Sequence, residues 1–241
     1  MKILVLGAGA VGGYFGGRLV EGGADVTFLV RPRRREQLAR DGLRIVSPGG
    51  DATLAVRAVL ASELAAEFDV VLLTCKAYDL DSAMDAIAPA VQGECAIIPL
   101  LNGLAHLERL DARFGAQHVM GGTCMIDATL RGDGAIVHGG TLQRVIFGER
   151  DRTRSARAIA FAKVFGSSVV EGQLDDDILQ RMWDKLVFLS ALAAGCCLFR
   201  GTVGEIMSAP GGRDAMERIL DDNVAIAAAD GHPLDQRAID F

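Results

Sequence analysis

Two groups of residues have types and spacings suited to chemistry. The first is Gly7-Ala8-Gly9-Ala10-Val11-Gly12, a G-x-G-x-x-G close to the start of the chain. It follows the apolar run Ile3-Leu4-Val5-Leu6 and opens a stretch with helical patterning, the context in which this spacing binds a dinucleotide. The first glycine permits a tight turn, the second lets the backbone approach a pyrophosphate, and the third lets helix and strand pack closely. The pyrophosphate then rests on the helix N-terminus. Gly7, Gly9, Ala10, Val11 and Gly12 are therefore the expected cofactor contacts. The other reading of the same residues is a glycine-rich turn with no ligand.

The choice of dinucleotide turns on the end of the second strand. A site for the unphosphorylated cofactor usually carries Asp or Glu there, about 20 residues on, to hold the ribose hydroxyls. That place is Val30-Arg31, and Asp25 lies at the wrong end of the strand. Arg31, Arg33, Arg34 and Arg35 occupy it instead. Guanidinium forks bind a 2′-phosphate that a carboxylate would repel. The sequence thus predicts NADP(H), with Arg31 as the leading contact; a basic loop that only faces water is the alternative.

The second group is dispersed. Lys185 is the only basic residue between Met182 and Phe199. A lysine at the rim of such an apolar helix can be desolvated, which lowers its pKa toward values useful for proton transfer. It can also lay its stem on the core and keep its head in water. Lys76 follows the apolar run Val70–Thr74 at its C-terminal end, where doubly wound sheets place ligands. Asn102 shares that setting, beside Gly103. A surface-loop lysine and a turn asparagine are their plainer readings.

The elements that position these residues follow from pattern. Lys2–Leu6, Val26–Val30, Val70–Thr74, Ala96–Leu101, Val119–Met125 and Gln143–Gly148 read as strands. Val11–Glu21, Arg34–Asp41 and Leu80–Val91 read as helices, the first two closed by glycines and the third with Asp79 or Asp81 near its start. Leu43–Val46 and Ala52–Val59 form a small excursion around Pro48-Gly49-Gly50. From Asp175 onward only helical segments are expected, interrupted at Pro210-Gly211-Gly212, with the start of another after Pro233. The fold class is α/β: an N-terminal Rossmann-type doubly wound sheet over residues 1–170, then an all-helical C-terminal domain over 171–241.

The chain has 241 residues, 50% of them hydrophobic and 23% charged, which suits a soluble globular protein with a real core. Its formal net charge of -6 gives no support to nucleic-acid binding. Leu186 to Phe199, a long uncharged apolar run, falls short of the roughly 20 residues of a membrane helix and reads as a buried core helix. No secretory signal precedes Ile3, so the cytoplasm is expected. The five cysteines, Cys75, Cys95, Cys124, Cys196 and Cys197, show no metal-ligand spacing and read as small core residues. His106, His118, His138 and His232 read as ordinary surface or satisfied histidines, so no metal site is expected.

The opening Lys-Ile-Leu-Val-Leu-Gly-Ala-Gly-Ala-Val-Gly-Gly, then Thr74-Cys75-Lys76-Ala77, Leu101-Asn102-Gly103 and Trp183-Asp184-Lys185-Leu186, fall in one order at consistent spacings. Together they resemble the ketopantoate reductase (2-dehydropantoate 2-reductase) family of pantothenate biosynthesis, from residue 1 to about 235. The resemblance implies reduction of a 2-oxo acid by hydride from NADPH. It implies Lys185 as proton donor on the first long helix of the C-terminal domain. It also places Lys76 along the cofactor and substrate cleft, and Asn102 near the nicotinamide end.

Two departures qualify what the resemblance implies. The family helix usually carries asparagines one and two turns after the lysine, where this chain has Leu189 and Ala193. A less polar carbonyl substrate than ketopantoate is therefore expected. The serine and glutamate that later helices contribute in the family have no counterpart before Phe241, so the C-terminal part of the second domain is expected to be missing. Glu205 and Glu217 lie in no motif that would make them substitutes. A homodimer through the apolar helix is expected. The competing reading is a catalytically idle NADP(H)-binding sensor or scaffold subunit.

Overall fold

Lys2–Leu6 forms β1 at the centre of a five-stranded parallel sheet, and its three middle residues, Ile3, Leu4 and Val5, are wholly buried. A computed structural model describes residues 1–235 of the chain. These fall into two compact units that divide after Ile178.

In the first unit β1 leads through the glycine turn into α1 (Ala10–Glu21), β2 (Asp25–Leu29) and α2 (Pro32–Asp41), which has Pro32 at its first helical position. Next come β3 (Leu43–Val46), β4 (Ala52–Leu54), β5 (Arg57–Val59) and β6 (Val70–Leu73). After these follow α3 (Leu80–Ile87), β7 (Ala96–Pro99) and α4 (His106–Phe114). The parallel sheet has the order β5-β2-β1-β6-β7, with Leu4 beside Thr27 on one side and Val71 on the other. Every residue of β6 and β7 is buried, as expected of strands covered on both faces.

A second sheet was not anticipated. The long strands β8 (Gly121–Leu130) and β9 (Ile136–Gly148) pair antiparallel, with an irregularity between Ile126 and Ala128. β9 also pairs in parallel with β3, and β3 pairs antiparallel with β4. The segment Ala52–Val59 is therefore not one excursion: its first half joins this sheet and its second half edges the other, parallel to β2. After α5 (Ala156–Val164), β10 (Glu171–Leu174) pairs in parallel with β9. That edge strand is why the first unit runs to Ile178 rather than ending at residue 170.

A buried polar cluster fixes α1 to the second sheet. His138 Nε2 donates to the Leu142 carbonyl at 3.0 Å, so its Nδ1 is the acceptor. Tyr14 donates to Gln143 Oε1 at 2.5 Å, and the Ser47 hydroxyl lies 2.9 Å from His138 Nδ1 as its donor.

The second unit holds most of α6 (Ile178–Phe199), α7 (Val203–Ser208) and α8 (Gly212–Ala229), the last two separated at Pro210-Gly211. Contrary to the sequence expectation, α6 is not a buried core helix. Phe188, Leu198 and Phe199 are exposed, and by length and composition alone the 22-residue helix is apolar enough to cross a membrane. The uncharged run misled because apolar composition does not itself supply a covering element: all three exposed residues lie within that run. The helix expected after Pro233 lies largely outside the described residues.

Candidate functional site

The carboxyl ends of β1, β2, β6 and β7 converge on one edge of the parallel sheet, and the loops leaving them carry most of the residues singled out by sequence. Gly7 takes φ +93°, a left-handed conformation that side chains resist, and donates its N–H to the Leu29 carbonyl at 2.9 Å. Gly9 caps α1 without a side-chain bond, and the first turn of α1 holds no acidic residue. Its exposed face meets no heavy atom within 4 Å of where a Cβ would stand. Gly12 is the opposite case: a Cβ there would collide with the Gly7 carbonyl oxygen and with Thr74 Oγ1. Thr74 is itself held, donating to the Leu6 carbonyl at 2.7 Å. The turn thus presents free helix N–H groups beneath open space, which fits an anionic pyrophosphate.

The arginines after β2 divide by role. Arg31 is 80% exposed and its Nη2 lies 3.5 Å from Asp79 Oδ1. Arg33 is exposed. Arg35 pairs with Glu63 at 2.6 Å. Arg34 is turned inward as a brace. Its Nε donates to the Ala8 carbonyl inside the glycine turn at 3.0 Å, and its Nη1 donates to Gln37 Oε1 at 2.6 Å and the Gly134 carbonyl at 3.1 Å. Burial, and then the neighbouring Arg44, lower its pKa from the usual arginine value. An open groove of about 1130 Å³ runs beside α2; its lining mixes arginines, Arg31, Arg33 and Arg34 among them, with the carboxylates of Glu36, Asp41 and Asp133.

Lys76 is exposed at the head of the turn Ala77–Asp79, and its carbonyl accepts from the Asp79 N–H at 2.9 Å. Asn102 is exposed next to Gly103, whose φ is +85°. Cys75, between Thr74 and Lys76, is half-buried; burial first, then the Asp79 charge, push its thiol up to about 11. Lys185 belongs to the second unit, half-buried on α6. Its neighbours are fixed locally: Trp183 stacks on His232 at 5.6 Å, and Asp184 accepts from Gln180 at 2.9 Å and Arg181 at 3.1 Å.

Sequence reasoning missed four features. The brace role of Arg34 and the partnership of Asp79 depend on contacts far apart in the chain. His106, expected to be satisfied or on the surface, is buried with 5% exposure, and its Nε2 makes no hydrogen bond to the described residues. Burial holds its pKa down at about 4, so it is neutral. Among the cysteines, Cys197 is exposed rather than in the core.

Comparison with known proteins places the chain among one set of enzymes. The family described as ketopantoate reductase PanE/ApbA matches residues 3–152, and the C-terminal family of the same name matches 177–240. An uncharacterised oxidoreductase of Bacillus subtilis strain 168, YkpB, is 39% identical over 239 residues, covering 98% of this chain and 77% of its own. A 2-dehydropantoate 2-reductase of Halobacterium salinarum is 28% identical over 245 residues, covering 100% of this chain and 79% of its own. The crystal structure of 2-dehydropantoate 2-reductase from Geobacter metallireducens superposes with a TM-score of 0.89 at 31% identity, covering 100% of this chain and 80% of that one.

Proposed function

This chain belongs to the ketopantoate reductase family, an oxidoreductase family acting on CH–OH groups with NADP, and from that premise we propose that it reduces a 2-oxo acid to the 2-hydroxy acid, with Lys185 as proton donor. The observation that carries the reading is the glycine turn. Gly9 opens onto free space at an uncapped helix N-terminus, and an arginine stands at the end of β2 where a carboxylate would select the other dinucleotide.

NADPH, when bound, supplies the hydride to the carbonyl carbon. Gly9, Ala10, Val11 and Gly12 would hold its pyrophosphate at the helix N-terminus, Gly7, whose N–H is taken by the Leu29 carbonyl, would shape the turn that presents them, and Arg31 would take the 2′-phosphate. Lys76 and Asn102, at the carboxyl edge of the sheet, orient the nicotinamide end and the substrate's anionic head. The carbonyl oxygen becomes an alkoxide as the carbon is reduced, and the Lys185 ammonium Nζ stabilises it and gives up a proton. Leu189 and Ala193, one and two turns on, line that face with apolar groups, so the substrate is ketopantoate or a less polar analogue. If it is ketopantoate, the enzyme works in pantothenate synthesis. We place it in the cytoplasm as a homodimer, the exposed Phe188, Leu198 and Phe199 of α6 forming the contact.

The test is NADPH oxidation against a panel of branched and aromatic 2-oxo acids, by the native protein and by Lys185→Ala. We expect turnover on at least one acid, and a loss of about 10²–10⁴-fold in kcat with NADPH affinity kept. Tight NADPH binding without turnover on any acid would replace the enzyme reading by that of an idle binder.

A further inference from the structure

Arg31 and Asp79 face one another at the carboxyl edge of the parallel sheet. Arg31 follows β2 and Asp79 follows β6, the two strands that flank β1 in the sheet. The loops leaving them therefore stand on either side of the glycine turn into which β1 runs. Nη2 of Arg31 lies 3.5 Å from Oδ1 of Asp79, and among the described residues Arg31 forms no other ion pair. Asp79 also occupies the N-cap of α3. An aspartate there ordinarily turns its carboxylate onto the first N–H groups of the helix. Here it makes no side-chain cap bond and its carboxylate faces the guanidinium instead.

We propose that Asp79 sets the cofactor preference of this enzyme: its carboxylate competes with the 2′-phosphate of NADPH for Arg31 and accepts a hydrogen bond from the free ribose 2′-hydroxyl of NADH, narrowing the margin between the two. The inference rests on the placement of the adenosine half at Arg31 proposed above. The carboxylate that selects the unphosphorylated cofactor normally stands at the end of the second strand. In this chain that position is Arg31, and the carboxylate arrives from the other flank, at the head of α3. One end of the crevice thus carries both devices, a fork of N–H donors for phosphate and an acceptor for hydroxyl.

The magnitude follows from Coulomb's law. A guanidinium shared between the two anions sets the carboxylate roughly 7 Å from the phosphate, and in surroundings close to water a unit charge at that range changes phosphate affinity about five-fold. Since both side chains are exposed at least in part, no larger effect is expected.

Calorimetric titration of the whole chain with NADPH and with NADH measures the margin directly. Asp79→Asn keeps the shape, removes the charge and breaks no cap bond. We expect it to bind NADPH about five-fold tighter, to bind NADH no tighter, and to lose most of that gain at ~0.5 M salt. Asp79→Ser must act in the same direction. Arg31→Ala serves as the reference and should weaken NADPH far more than NADH. If both Asp79 variants leave the ratio of the two affinities within about two-fold of the native ratio while Arg31→Ala lowers it, the role of Asp79 is refuted and the cofactor placement stands. If Arg31→Ala leaves the ratio unchanged as well, the placement falls and takes the role of Asp79 with it.

Discussion

Gly9 and Gly12 lie three residues apart in one motif, yet substitution by alanine should do different things to them. At Gly12 the added methyl would meet the Gly7 carbonyl oxygen and Thr74 Oγ1, with Val5 Cγ1 a further neighbour at 3.1 Å. The carbonyl is backbone and cannot swing away, and Thr74 is anchored by its 2.7 Å bond to the Leu6 carbonyl. Relief must come from α1 moving off β1. Overpacking of this kind costs about 1–3 kcal/mol, which in a chain of this size lowers Tm by roughly 2–10 °C. The same shift misaligns the helix N–H groups, and losing one charge-assisted hydrogen bond weakens dinucleotide binding about 10- to 100-fold. At Gly9 the methyl meets nothing within 4 Å, and φ is -84°, which alanine tolerates. Gly9→Ala should therefore keep Tm within about 1–2 °C of native while still weakening NADPH, because its methyl occupies the space proposed for the pyrophosphate. Scanning calorimetry and NADPH titration on both variants separate the effects. Native NADPH affinity in Gly9→Ala would refute the placement of the phosphates. A native Tm in Gly12→Ala would refute the close approach of α1 to β1.

Two further predictions concern acid stability. Glu149 is buried; burial raises its pKa, but Arg157, donating at 2.7 and 2.9 Å, and Ser155, at 2.5 Å, outweigh burial and hold it below the ordinary 4.5. A depressed carboxylate stabilises the fold above its unfolded pKa and ceases to as pH falls through the folded one, so this contribution is present above 4.5 and lost in acid below it. Glu149→Ala strands the Arg157 charge and should cost about 3–5 kcal/mol in urea unfolding at neutral pH; a cost below ~1 kcal/mol would contradict the pairing. His106, held down from 6.5 to about 4 by burial, acts in a different window. The unfolded chain takes up the proton first, so stability should fall by roughly 3 kcal/mol at most as pH drops from the upper value to the lower. His106→Phe should flatten the pH dependence of unfolding free energy in that interval, and an unchanged slope would contradict it.

The glycine fingerprint was legible because each of its glycines answers a local demand and the flanking strand and helix are strongly patterned. The central strands were legible for a similar reason: Val70–Leu73 is apolar without interruption, as burial on both faces requires. The second sheet was not. The outer halves of β8 and β9 mix exposed and half-buried residues, with Leu130 and Leu142 in water, so their period is weak. Nothing local announces that Ala52–Val59 is shared between two sheets. The helix α4 has Ala105 at its N-cap and so no capping side chain, whereas α5 had a usable signal in Ser155, which accepts from the Ala158 N–H at 3.2 Å. Arg31 was found from its position after a strand. Asp79 was visible only as a helix-start residue, since its partner lies 48 residues away, as the difference between the two residue numbers gives.

The central claim is a transfer of hydride from NADPH to the carbonyl carbon of a 2-oxo acid. NADPH deuterated at its transferable C4 position, incubated with the native chain and the acid it turns over best, tests it by mass spectrometry of the product. The account predicts a 2-hydroxy acid carrying a single deuterium at C2, formed in step with NADPH consumed. NADPH consumed with no deuterium in the product would contradict it.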